Sequence, residues 1–99
     1  MPYRRTEGVT FEVSAGRAVL LDADGETLTT LNPTGTSIWR SLEGSRGVGE
    51  LAARLAEEHP DVPIRTLEGD VEAFLADLDR DGLVEHTGAR RVVGPGSEA

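Results

Sequence analysis

Most of the side chains in this chain that could do chemistry are carboxylates. Eighteen aspartates and glutamates stand against ten arginines, no lysine and two histidines, His59 and His86. The absence of cysteine excludes disulfides, thiolate nucleophiles, zinc ribbons and iron–sulfur clusters together. Without lysine there is no Schiff base and no phosphate-loop ammonium. Asp22-Ala23-Asp24-Gly25 has the start of a calcium loop but no glutamate at the closing position, so a hairpin turn accounts for it better. Glu57-Glu58 and Asp77, Asp79 and Asp81 fall where helices face water, which makes them a solvated acidic face rather than an acid–base pair. His59 precedes Pro60 at a helix end, where an imidazolium interacts with the helix dipole. Ser37 and Ser41 have no histidine in a predictable relation to them. Gly44, Gly47 and Gly49 follow a helix rather than a strand and lack phosphate-loop spacing. The expectation is a domain with no catalytic set, no metal and no cofactor.

Length and charge narrow the reading further. Ninety-nine residues make one domain with one modest core. A net charge of −8 disfavours nucleic acid and anionic membranes as partners. The longest aliphatic run, Ala18 to Leu21, is far short of a membrane span, and no apolar stretch suited to a secretory signal follows Met1. A cytoplasmic protein is expected.

The elements that would position these groups come in two blocks. Val9, Phe11 and Val13 alternate with polar residues, as in a half-buried strand. Ser14-Ala15-Gly16 is a turn, and Arg17 to Asp22 a second strand. Thr27 to Leu31 is rich in β-branched residues and makes a third, so short connections imply an antiparallel meander. Periodicity then changes. Asn32-Pro33 starts a helix over about 33–43 that buries Ile38, Trp39 and Leu42. Val48, Leu51, Ala52, Leu55 and Ala56 form one stripe of a helix over about 48–58. A third, opened by Pro63 or by Thr66, buries Leu67, Val71, Phe74, Leu75 and Leu78 and ends at the C-cap glycine Gly82. Leu83-Val84-Glu85 reads as extended, with a possible hairpin into Arg90-Arg91-Val92-Val93 and a frayed tail.

Three helices with a following hairpin raise the question of DNA. Over 63–82, Arg65 and Arg80 oppose Glu68, Asp70, Glu72, Asp77, Asp79 and Asp81, for a net of −4. Such a helix is repelled by the phosphates beside the major groove. A peptide is the better partner: a third strand at the sheet edge exposes unpaired N–H and C=O groups that another extended chain can satisfy. By composition alone the threonines at 27, 29 and 30 read better as strand formers on a wet face than as the edge of a peptide groove.

The run Ala18-Val19-Leu20-Leu21-Asp22, followed by Leu31-Asn32-Pro33-Thr34-Gly35-Thr36-Ser37-Ile38-Trp39, resembles the PqqD-like family. Leu42-Glu43-Gly44, Glu50-Leu51-Ala52 and Asp70-Val71 … Phe74-Leu75 … Leu78 … Gly82-Leu83-Val84 extend the likeness over about residues 9–85. The resemblance implies a RiPP precursor recognition element, a peptide-modification chaperone. Its fold is α+β and winged helix-turn-helix-like, a three-stranded antiparallel sheet followed by three helices. Residues 1–8 would be an N-terminal arm, 9–85 the recognition domain and 86–99 a C-terminal tail. The leader of a precursor would add beside Thr27, Leu28, Thr29, Thr30 and Leu31, in a groove lined by Asp70, Phe74, Asp77, Leu78 and Asp81. It would then be delivered to a modifying enzyme, often a radical S-adenosylmethionine protein. Asp77 and Asp81 would favour a basic leader, Gly35 would permit close helix–strand packing, and proline at position 29 would abolish strand addition. A monomer or weak homodimer is expected. A winged-helix transcriptional regulator and a structural dimerisation module are the alternatives.

Overall fold

The first hairpin is set by a two-residue turn. Ala15 and Gly16 both take positive φ, 53° and 79°, the twist that suits a tight hairpin. They join β2 (Thr10–Ser14) to β3 (Arg17–Leu21), with Ser14 opposite Arg17 and Phe11 opposite Leu20. β3 pairs in turn with β4 (Leu28–Thr30), Leu20 opposite Thr29, so the antiparallel order is β2-β3-β4. This computed structural model describes residues 2–86; of the tail expected over 86–99 only His86 falls among them, and the expected turn and second hairpin strand lie outside. The meander is as the turn residues foretold, and β4 is an edge.

Helix α1 (Pro33–Ser41) begins as its sequence requires. The Asn32 side chain accepts a 2.7 Å hydrogen bond from the Gly35 amide, and Pro33 occupies the first turn, where no N–H is missed. The buried Thr36 hydroxyl accepts from the Ala18 amide at 2.8 Å, fastening α1 to β3. Helix α2 (Val48–Glu58) ends at His59, whose backbone N–H closes the last turn. Helix α3 (Ile64–Arg80) starts after Pro63, which holds the N-cap position. Its far end is a Schellman cap: Gly82, at φ 76°, donates to the Asp79 carbonyl, and Leu83 donates to Leu78 at 2.8 Å. That reversal sends the chain into β5 (Val84–His86).

The core lies where the three helices meet the inner face of the sheet. Ala18, Leu20, Trp39, Leu42, Leu51, Leu75 and Leu83 are all essentially inaccessible. Burial of a leucine contributes about 1.5–3 kcal/mol relative to exposure, so this cluster supplies most of the drive to fold.

Residues 1–8, expected as an arm, contain a strand. β1 (Tyr3–Arg5) pairs antiparallel with β5, Arg5 opposite Val84, in a second, two-stranded sheet. Its anchor is Arg5, whose guanidinium lies 4.7 Å from the Phe11 ring centre and 4.9 Å from that of Trp39. The same group donates to the Trp39 carbonyl at 2.7 Å, while Phe11 meets Trp39 edge-on. A run of three residues containing two arginines has no apolar periodicity to betray it. Its burial is that of a stacked cation.

Candidate functional site

The open edge of β4 can be assigned group by group. Leu31 donates to Ala18 at 2.8 Å, and Thr27 accepts from Asp22 at 3.1 Å. Within an antiparallel strand, N–H and C=O of one residue point to the same side and alternate along the chain. Residues 27, 29 and 31 therefore direct their backbone groups toward β3. Leu28 and Thr30 direct theirs outward, where they are unpaired in the sheet. Proline at position 29 consequently breaks the β3–β4 ladder rather than a peptide ladder, which corrects the sequence expectation. Position 30 is where a missing N–H tests the edge.

Side chains alternate across the sheet as well. Thr27 and Thr29 sit on the inner face with Leu20, whereas Leu28, 67% exposed, sits on the outer face with Val19 and Leu21. The inner-face residues look across to α3, and two hollows open along this side. The first, about 220 Å³, is lined by Thr27 and Thr29, by Asp22 from the β3–β4 turn, and by Asp81 and Leu83 from the end of α3. The second, about 320 Å³, is lined by Asn32, Thr34, Gly35 and Ile38 from the start of α1, and by Asp70, Ala73 and Phe74 from α3.

The linings differ in chemistry. In the first hollow two carboxylates and two threonines surround one leucine. The Asp22 carboxylate is a fixed charge: it accepts from the backbone amides of Glu26 at 2.9 Å and Thr27 at 3.3 Å, which hold its pKa below the usual value. Those bonds also account for the Asp22-Ala23-Asp24-Gly25 run as a turn. Among the described residues no group of three or more acidic or histidine side chains is placed to hold a metal. The second hollow is more apolar, with the Phe74 ring as its wall. An ideal Cβ on Gly35 would come within 2.7 Å of Phe74 Cε1. Gly35 thus permits close packing of α1 against α3, and not of a helix against a strand.

The sequence-predicted residues sort into three groups. Thr27, Thr29 and Asp81 meet in the first hollow, and Asp70 and Phe74 lie in the second. Leu28 and Thr30 offer backbone. Leu31 and Leu78 are buried in the core, and Asp77, on the same helical stripe, is paired with Arg80 at 3.3 Å. Sequence reasoning missed Asp22 and Leu83 as site residues. Asp22 lies in a turn that a hairpin signal fully explains, and Leu83 reaches the hollow only because the Gly82 cap reverses the chain.

The acidic charge of α3 is divided between two faces. At helical spacing Asp70, Phe74, Asp77 and Asp81 form one stripe, beside the hollows. Glu72 and Asp79 lie on the other side, toward β1. Asp79 pairs with His86 at 3.7 Å, and after burial Asp79 and Glu72 are what raise the pKa of Tyr3. Tyr3 and His86 are themselves in ring contact at 4.2 Å. Asp70 and Asp81 make no ion pair among the described residues.

Residues 17–84 match the family model of coenzyme PQQ synthesis protein D (PqqD). The chain belongs to the PqqD family. Its fold is shared with TbiB1 in complex with the TbiA(beta) leader peptide, at 27% identity and a TM-score of 0.75, covering 83% of this chain and 94% of that one. It is also shared with the PqqD truncation of Methylobacterium extorquens PqqCD, a stand-alone RiPP recognition element whose structure was determined in solution by NMR. Identity there is 21% and the TM-score 0.72, with 86% and 89% of the two chains covered. A search of curated protein sequences gave no match. The PqqD-family architecture is the α+β arrangement seen here, and no helix among the described residues is long and apolar enough to cross a membrane.

Proposed function

We propose that this PqqD-family domain captures the leader of a ribosomally made precursor peptide as an added strand and presents it to a modifying enzyme. The observation that carries the reading is the unpaired edge of β4, with Leu28 and Thr30 facing outward beside two hollows against α3. A peptide laid there gains backbone hydrogen bonds from those two residues and side-chain contacts from the hollows. The bonds supply affinity and the hollows supply selection. The similarity to TbiB1, a structure that contains a leader peptide, supports a leader as the occupant. Thr27 to Leu31 and the stripe Asp70, Phe74, Asp77 and Asp81 are the binding residues of this reading, with Leu31 and Leu78 as its buried backing. The domain does no chemistry itself. Its recipient is a peptide-modifying enzyme, of the radical S-adenosylmethionine class in the form the family resemblance suggests.

An NMR titration of the 99-residue chain with candidate leader peptides tests this. Shifts are expected at the Leu28 and Thr30 amides and along Asp70, Phe74 and Asp81. Thr30→Pro is expected to keep the fold, because its N–H is outside the ladder, and to weaken binding at least about tenfold. Binding unchanged in that variant, or shifts confined to β1 and β5, defeats the proposal. Sizing by light scattering checks for a monomer or weak homodimer, since a free edge can also pair with its own copy.

A further inference from the structure

We infer that the groove selects a peptide carrying a cationic side chain on its groove-facing side, seated between Asp22 and Asp81, four residues from an apolar side chain seated in the hollow that Asp70, Ala73 and Phe74 line. This deepens the leader-binding reading and rests on it.

Three observations lead there. The first is parity. A strand hydrogen-bonded to Leu28 and Thr30 places the residues opposite them on the outer face, and the residues between on the inner face. Only one of the two alternating sets can enter the hollows. The second is charge. Asp22 and Asp81 come from different elements, the β3–β4 turn and the C-cap of α3, yet line one hollow with two threonines and Leu83. No arginine or histidine lines it. The nearest basic residue along α3, Arg80, is engaged with Asp77. An extended guanidinium side chain fits: its stem lies on Leu83 and its head meets the carboxylates and hydroxyls.

The third observation is spacing. The α3 residues of the apolar hollow centre on the turn holding Asp70, Ala73 and Phe74, about nine residues before Asp81. At 1.5 Å per helical residue that is about 13.5 Å. Four strand residues at about 3.4 Å each span the same length. Four is even, so both side chains have the same parity and enter the groove together.

The test uses three synthetic nonapeptides of threonine and valine, binding the 99-residue chain and measured by calorimetry. One has leucine third and arginine seventh. The second has glutamate in place of the arginine, and the third has the arginine moved to the sixth position. The first is expected to bind at least about fivefold more tightly than the other two, a size suited to a solvent-accessible charge reversal, and to lose much of the margin in high salt. Asp81→Asn should reduce the margin to less than about twofold, whereas Glu72→Gln, on the opposite face, should preserve it. Equal affinity for the arginine and glutamate peptides overturns the inference, as does a margin that survives Asp81→Asn. Failure of all three peptides to bind at millimolar concentration overturns it too. Thr30→Pro separates the two levels: binding that depends on Thr30 but ignores charge defeats only this inference, and binding indifferent to Thr30→Pro defeats the strand-addition reading beneath it.

Discussion

The two long sides of α3 carry the same kind of charge and use it differently. Toward β1 and β5, Asp79 lies 3.7 Å from His86, and together with Glu72 it raises the pKa of Tyr3, so the acids there face other groups of their own chain. Toward β4, Asp70 and Asp81 line hollows without an ion pair among the described residues. The lesson is that a helix's net charge says little about recognition until each carboxylate is assigned a neighbour. The closed side faces β1 and β5, and the open side faces the two hollows.

Substitutions that separate stability from binding test this contrast. The largest effect is expected on the closed side. Arg5→Ala removes the stacking on Phe11 and Trp39 and the bond to the Trp39 carbonyl, and should cost about 2 kcal/mol. Chemical denaturation followed by the fluorescence of Trp39, the single tryptophan, measures it. Peptide affinity of the folded variant should be unchanged; a severalfold loss would merge the two sides. Next comes Gly35→Ala on the open side. Relief of the glycine penalty offsets the clash with Phe74, leaving stability within about 1 kcal/mol, while the displaced ring narrows the second hollow. Affinity for an apolar-bearing peptide should fall severalfold.

Gly69→Ala is the contrasting glycine. A Cβ there meets nothing within 4 Å, so helix propensity alone acts and stability should rise by up to about 1 kcal/mol with binding untouched. The smallest effect concerns Tyr3, the single tyrosine, whose absorbance can be titrated directly. Its pKa is raised above 10.0, first by burial and then by Asp79 and Glu72. Its contribution to β1 is therefore complete below the unfolded value and lost as pH rises through the folded one. Asp79→Asn should lower the midpoint without returning it to 10.0, since burial remains. A midpoint unmoved in that variant would remove the electrostatic link between α3 and β1.

Much of the scaffold was legible because its signals are local. Ala15-Gly16 and the Asp22 turn mark hairpins, Asn32-Pro33 opens α1, and Gly82 closes α3; each is a backbone requirement met by one or two residues. The family likeness added the edge strand and the stripe of α3 as the place to look. What stayed hidden depends on three-dimensional phase. Strand β1 is held by a guanidinium between rings, which hydropathy scores as exposure. The inward direction of the Thr29 amide follows from the register with β3, and a shift of one residue would reverse it. Asp22 and Leu83 enter the site from connections, where no periodicity points.

The Schellman cap at Gly82 has one further consequence. It places Asp81 outside the helix proper, at an exposed position beyond the last core residue of α3, Leu78. Exchanges at such positions usually shift stability by no more than about 0.5 kcal/mol. Exchange of Asp81 can therefore change the charge of the first hollow while the core stays intact. The charge lining that hollow is in this respect separable from the scaffold that carries it.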